Sequence, residues 1–351
     1  MYIKDSLCIS PQKTYQQEAF SDEIVRHSGN KYFAIEPDYG DLIPATSLRR
    51  MSKLLRMGIG TGLPLLKRYS DIGGIIIATA DGGVSDSIKF LNQIEQYNEG
   101  TLTPTNFVQS TPNSLAGTLA VLSGNNGYNN THVHEYLSFE NVLTDALMYL
   151  EENDGKILVG AAEEISEWNF NLKFHQNLYK SENTVFENLI NSGSPGTVCG
   201  EAAVMFVLDS DSSGSFTRIV DVSQRCSEYE KDTSEMIMTL LERNNLTPEK
   251  IDAVITGKNG DVRTDKYYDN ICSTLFRKAD IYTYRNLFGD FPGSSSLSLW
   301  LADIIFKKIK LPEECIDKKN RDMISNILIY NHALNNQQGA ILVSGTNSVC
   351  P

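Results

Sequence analysis

Residues 127–160 compress a strand, a sharp turn, a helix and a second strand into one short run, and this order forces an α/β architecture. Thr131 to Leu137 alternates and carries β-branched and aromatic residues, the pattern of a strand. Ser138 stands where an N-cap hydroxyl accepts a backbone N–H, and Glu140 in the first turn suits the positive end of the helix dipole. Val142, Leu143, Ala146, Leu147 and Leu150 recur at helical spacing and give one apolar face. Asn153-Asp154-Gly155 ends the helix. Ile157 to Ala162 is then continuously apolar, as in strands buried on both faces of a parallel sheet. Such a unit presents the residues of its turn at a helix N-terminus. Enzymes place nucleophiles there, because the dipole and free N–H groups stabilise developing negative charge.

The same alternation runs through the chain. Tyr2 to Ser10 and Gly73 to Ala80 read as strands, and Lys13 to Tyr39 as a polar excursion. Thr46 or Ser47 is expected to cap a helix carrying Leu48, Met51, Leu54, Leu55 and Ile59. Helices are expected over Ser87 to Tyr97 and after Pro112, and a strand over Gly200 to Leu208. Ser210 to Ser215 is the clearest punctuation, and it suggests a division into residues 1–209 and 210–351. Beyond it the pattern restarts: strands over Phe216 to Ser223, Asp252 to Thr256, Asn326 to Tyr330 and Gly339 to Ser344. Helices fall over Thr233 to Arg243, Asp265 to Phe276 and Ser294 to Ile309.

Composition removes several function classes. A net charge of −13 with no basic stripe argues against nucleic-acid or anionic-membrane binding. The longest apolar runs are too short to span a bilayer, and the first ten residues lack a signal-peptide pattern. Six scattered cysteines without a CxxC pair suit the reduced thiols of a cytoplasmic protein. No cofactor or metal is expected. Thr79 to Gly83 lacks the spacing of a phosphate loop and reads as a tight turn. His27 reads as a surface histidine, and Cys199 as core.

Five landmarks occur in a fixed order: Leu48-Arg49-Arg50-Met51, Pro112-Asn113-Ser114-Leu115-Ala116-Gly117, Gly124 to Tyr128, Gly160-Ala161-Ala162-Glu163-Glu164 and Gly200-Glu201-Ala202-Ala203. In order and spacing they resemble the β-ketoacyl synthase (condensing enzyme) family of the thiolase-like superfamily. The resemblance covers most of the chain. It implies a thiolase-like fold, with two pseudo-repeated βα halves in an αβαβα layered arrangement: two mixed sheets with a buried helix layer between them.

The family's catalytic residues do not carry over. Its nucleophilic cysteine falls in the turn from His134 to Ser138, at Tyr136. Its first histidine corresponds to Asn259 in Gly257-Lys258-Asn259-Gly260-Asp261, and its second to Asp290 in Gly289-Asp290-Phe291-Pro292-Gly293. The closing loop corresponds to Ala333 to Gly339, with His332 just before it. A ketosynthase loads an acyl chain on a thiolate and stabilises an enolate with two imidazole N–H groups. Asn259 can donate a hydrogen bond; an ionised Asp290 repels an enolate. Ser138 is the alternative nucleophile, with His134 four residues before it as its base. His132 and His134 share one strand face, a spacing that can bind metal, although the resemblance assigns this strand to packing against a partner.

A ketosynthase-like chain without its nucleophile looks like the family's chain-length-factor subunits. The resemblance extends to aryl-polyene and flexirubin-type pigment proteins with a Ser-Phe-Glu elbow. It implies pairing with an active ketosynthase, as a homo- or heterodimer, and acyl products carried on an acyl carrier protein. The competing readings are an acyltransferase or thioesterase using Ser138, and a non-catalytic acyl-binding homodimer.

Overall fold

The continuous apolar runs become strands covered on both sides. The structure, a computed structural model, describes every residue except 16–19, 21–22, 41, 182–183, 185–186, 188, 228, 335 and 347–351. Up to residue 209 the elements are β1 (Tyr2–Ile9), β2 (Lys31–Tyr32), α1 (Ala45–Leu48), α2 (Lys53–Arg68), β3 (Ile72–Thr79), α3 (Val84–Gln96), α4 (Pro104–Gln109), α5 (Ser114–Ser123), β4 (Tyr128–Val133), α6 (Ser138–Glu152), β5 (Lys156–Glu163), α7 (Glu167–His175), β6 (Cys199–Gly200) and β7 (Ala202–Asp209). Then come β8 (Thr217–Cys226), α8 (Glu230–Arg243), β9 (Ala253–Thr256), α9 (Val262–Thr274), β10 (Asp280–Tyr282), α10 (Arg285–Phe288), α11 (Ser295–Phe306), β11 (Ile316–Lys318), β12 (Asn326–His332) and β13 (Gln337–Gly345).

The sheet order contains the same five-strand arrangement twice. The first set runs β4-β3-β5-β7-β1 and the second β10-β9-β12-β13-β8, so each reads 3-2-4-5-1 in its own chain order. In each set the first three are parallel and the last two join antiparallel. These sets are the two mixed sheets that the resemblance implied, and they meet edge to edge: β1 and β8 pair antiparallel through Tyr2 with Arg218 and Ile3 with Thr217, so hydrogen bonding runs continuously through 11 strands. The seam is short because the strands diverge after these two pairs.

Pleat alternation then builds the layers. Ile76 and Ala78 of β3, Ile157 and Val159 of β5, and Val204 and Phe206 of β7 pack inward with α6 and α11. Their neighbours Ile75, Ile77, Leu158, Met205 and Val207 pack outward against α2 and α5. In the second set Ile255, Ile327, Ile329 and Ile341 join the inner cluster, while Val254, Leu328 and Leu342 pack on α8 and α9. The order is therefore helix, sheet, helix, sheet, helix. Ser295 through Ile304 of α11 are all buried, which explains why that helix is apolar around its circumference.

Several element boundaries differ from the sequence reading. The helix expected across residues 46–59 is broken at Arg49–Ser52, and α2 starts with Ser52 as its N-cap. Its Leu54 N–H donates to Glu164 Oε2 at 3.0 Å, so a carboxylate from the end of β5 fixes this helix start. The strand expected over Thr131 to Leu137 lies at Tyr128–Val133, because its partner β3 ends at Thr79, opposite Val133. The segment holding Trp168 and His175 contains α7, and β10 and β11 were unforeseen. Among the described residues no helix is long and apolar enough to cross a membrane.

Gly160 of β5 sits opposite Met205, and a Cβ there would run into the Val204 carbonyl and the Met205 sulfur. Gly160→Val should destabilise the fold by about 1–3 kcal/mol through overpacking, read as a lower midpoint in urea. An unchanged midpoint would mean β5 and β7 approach less closely than described.

Candidate active site

The turn at the heart of the sequence reading is short. His134 donates its N–H to Thr79 O at 3.1 Å, and residues 134–137 carry the chain into α6. The Tyr136 backbone N–H donates to Gln337 Oε1 at 3.2 Å. Desolvation, and then the nearby Asp290 carboxylate, push the Tyr136 phenol above the usual tyrosine range. Leu137 holds the N-cap position, and no side chain caps the helix. Ser138 is thus the first helical residue and not the cap. It is fully buried against Gly293, and its hydroxyl has no hydrogen-bond partner among the described residues. His134 Nδ1 accepts from the Leu137 N–H at 3.4 Å. The structure shows no hydrogen bond between Ser138 and His134, so the nucleophile–base pair needed for chemistry on Ser138 is not assembled.

Asn259 and Asp290, far apart in sequence, meet directly. The N–H groups of Asn259 and Gly260 donate to the two oxygens of Asp265 at 3.0 and 2.9 Å, which fixes the loop after β9. Burial pushes the Asp265 carboxyl up to about 6. Asn259 Oδ1 accepts the Asp261 N–H at 3.1 Å, and Asn259 Nδ2 donates to Asp290 Oδ2 at 2.8 Å. Both ends of the amide are therefore engaged within the chain.

The other Asp290 oxygen lies 3.2 Å from Arg285 Nε, with both side chains 5% exposed or less. Arg285 Nη1 donates to Gly257 O at 2.6 Å, and Nη2 to Ser294 Oγ at 3.0 Å and Asn331 Oδ1 at 3.3 Å. Burial disfavours the Arg285 charge, but the Asp290 carboxylate and the neighbouring tyrosines together more than offset this, so the guanidinium stays protonated. Arg285 was not singled out in the sequence. Its signal was a lone basic residue in the apolar stretch leading to Asp290.

Around this cluster lie buried groups that titrate far from their usual ranges. Asp290 is laced to β6: its N–H donates to Val198 O at 2.8 Å and its carbonyl accepts the Gly200 N–H at 2.9 Å. Burial raises the adjacent Cys199 thiol to about 12, so it stays protonated and unreactive. Cys199, Tyr179, Glu163, Lys173 and Phe291 help line a cavity of about 20 Å3, room for about one water. Burial, then repulsion from Asp81, pushes Glu163 up to about 8; it accepts from Thr79 Oγ1 at 2.8 Å and from the Ala80 N–H. Glu140 lies between the inner helices, accepting from Ser295 Oγ at 3.1 Å, and burial raises its carboxyl to about 7.

The histidines have other partners. His132 Nε2 bonds to Asp145 Oδ2 at 2.7 Å, where Asn130 Nδ2 also donates at 3.0 Å. On the opposite face of β4, Asn129 Nδ2 donates to Ala116 O at 3.0 Å and Thr131 Oγ1 to Asn113 Oδ1 at 3.1 Å. The polar residues on both faces of this strand are thus bound by flanking helices. Among the described residues no group of three His, Cys, Asp or Glu side chains is placed to hold a metal ion. His332 is buried, stacked on Tyr267 at 3.8 Å and bonded to Tyr330 Oη at 3.0 Å, and burial lowers it to about 4. His27 is half-buried rather than at the surface, stacked on Tyr32 and bonded to Pro11 O at 2.8 Å. Asn335 of the closing loop and Cys350 lie outside the described residues.

Two 3-2-4-5-1 sheets around a shared helix layer define a thiolase-like fold, with the Asn259–Asp290–Arg285 cluster among loops at strand ends. The family description "Beta-ketoacyl synthase, N-terminal domain" matches residues 28–213, and the chain belongs to the β-ketoacyl synthase family. Among solved structures it is similar to a β-ketoacyl synthase from Burkholderia phymatum (TM-score 0.78, 13% identity, 99% of both chains). It is also similar to a ketosynthase in complex with its chain length factor from Xenorhabdus doucetiae (0.76, 12%, 98% of both chains). A third similar structure is a type II polyketide synthase acyl-carrier protein in complex with its ketosynthase bound to the hexaketide (0.77, 13%, 98% of this chain and 99% of that chain). Comparison with curated protein sequences gives no match.

Asp290→Asn would leave Arg285 buried without its counter-ion, at an expected cost of about 3–5 kcal/mol. Adding Arg285→Met should recover part of that loss in urea denaturation. A double variant no more stable than Asp290→Asn would show that the stranded charge is not the cause.

Glu140 gives a pH signature. Its folded value of about 7 lies above the unfolded value of about 4.3, so the unfolded chain releases this proton first. The stability contributed is present below about pH 4.3 and falls as pH rises to about 7. Glu140→Gln should therefore match the natural chain near pH 4 and melt at a higher temperature at pH 8. Equal melting temperatures at pH 8 would contradict the assignment.

Proposed function

We propose that this chain is a non-condensing ketosynthase-like subunit that pairs with an active ketosynthase and shapes the space entered by a growing acyl chain, as a chain length factor does. One observation carries the reading. By motif order we assign Tyr136, Asn259 and Asp290 to the positions of the family's cysteine and two histidines, and Asn259 and Asp290 bond to each other. A phenol in the nucleophile position cannot form the acyl thioester on which condensation depends. A carboxylate in place of an imidazole opposes the enolate charge.

The similar structures that contain a chain length factor and an acyl-carrier protein support the same reading. The proposed substrates are acyl groups on an acyl carrier protein, and the proposed products are of polyene or polyketide type. The proposed contact with the ketosynthase is β4, which ends the sheet and leaves Tyr128 and Val133 exposed. Ser138 chemistry gains no support from a hydroxyl that is fully buried and lacks a hydrogen bond to a base.

Incubated with acyl- and malonyl-carrier protein, the chain alone should give neither acyl-enzyme nor elongated product by mass spectrometry. Co-expressed with an intact ketosynthase of the same source, it should co-purify, and Val133→Asp should abolish this by burying an unpaired carboxylate at the seam. Elongation by the chain alone would overturn the proposal.

A further inference from the structure

The N-terminal end of α6 raises a question that the missing cysteine does not answer. A backbone N–H at such a turn is a donor for negative charge, and it remains one whatever side chain replaces the nucleophile. Here that donor has an acceptor from the chain itself, Gln337 Oε1, at 3.2 Å from the Tyr136 nitrogen.

The contact is built into the fold. Gln337 is the first residue of β13; its carbonyl accepts the Ala333 N–H at 2.8 Å, and it pairs with Cys226 of β8. Asn336, with φ of 64°, turns the hairpin so that the strand begins there. Pleat alternation sends the next side chain, Gln338, to the opposite face, where Oε1 accepts from Thr233 Oγ1 at 2.7 Å and Nε2 donates to Ser227 O at 3.1 Å. Two residues beyond Gln337, on its own face, Gly339 lies against Glu140. Gln337 and Gly339 thus meet Tyr136, in the turn before α6, and Glu140, in the first turn of that helix.

We propose that Gln337 is an internal occupant of the site's backbone donor, holding closed the position where a condensing enzyme would bind negative charge. This deepens the non-condensing reading and rests on it. The backbone N–H of Tyr136 is held by Gln337, and the amide of Asn259 by Asp290. Replacing Tyr136 with cysteine therefore does not by itself recreate an activated thiol. The N–H becomes free for a substrate oxygen only when Gln337 gives up its hold.

The test separates the hydrogen bond from bulk. Gln337→Met keeps the length and removes the acceptor; Gln337→Glu keeps an acceptor. In the full chain, exchange of the Tyr136 amide hydrogen, resolved by fragmentation mass spectrometry, should be about tenfold faster in Gln337→Met, the equivalent of one lost hydrogen bond. In Gln337→Glu it should stay within twofold of the natural chain. Exchange unchanged by Gln337→Met would overturn the proposal. Condensation by the natural chain would instead overturn the non-condensing reading while leaving the exchange result intact.

Discussion

A buried ion pair, Arg285 with Asp290, governs the geometry of the candidate site. Neither charge is tolerable alone at such depth, so each fixes the other. Through Arg285 the pair holds the backbone of Gly257, the hydroxyl of Ser294 and the amide of Asn331. Through Asp290 it holds Asn259 and, by the backbone, β6. Segments from three regions of the second half and one of the first thus converge on two charges. Buried pairs add little net stability over apolar residues of the same volume. What this one contributes is position. A neutral side chain at position 290 would leave Arg285 without its counter-charge.

Much of the fold was legible because the inner strands and helices are buried on most sides. β5, β7, β9, α6 and α11 show plain apolar runs or 3.6-residue periodicity. The misses share a cause, which is dependence on distant partners. α2 begins where Glu164 reaches its Leu54 N–H, and nothing local to residues 46–59 announces that carboxylate. α7 is mostly polar and is anchored by Phe170, stacked on Tyr179 at 5.0 Å, so its sequence lacks a clear periodic face. β4 starts three residues and ends four residues before the stretch read as a strand, because its extent is set by β3 and not by its own alternation.

The site was legible only as positions. Family order picked out Tyr136, Asn259 and Asp290, yet whether they touch depends on loop geometry that spacing does not encode. The hydrogen bond between Asn259 and Asp290, the ion pair with Arg285 and the hold of Gln337 on Tyr136 are all long-range. Ser138 misled for the opposite reason. A serine opening a helix resembles a cap, but the turn is one residue tighter and Leu137 takes that place.

The two residue pairs between β1 and β8 have a mechanical consequence. So narrow a seam transmits little shear from one half of the sheet to the other, and the shared helices must do it. α6 and α11 are tied at their first turns by the bond from Ser295 to Glu140. The candidate site therefore sits where the two halves are tied, with one helix starting just after Tyr136 and the other a few residues beyond Asp290.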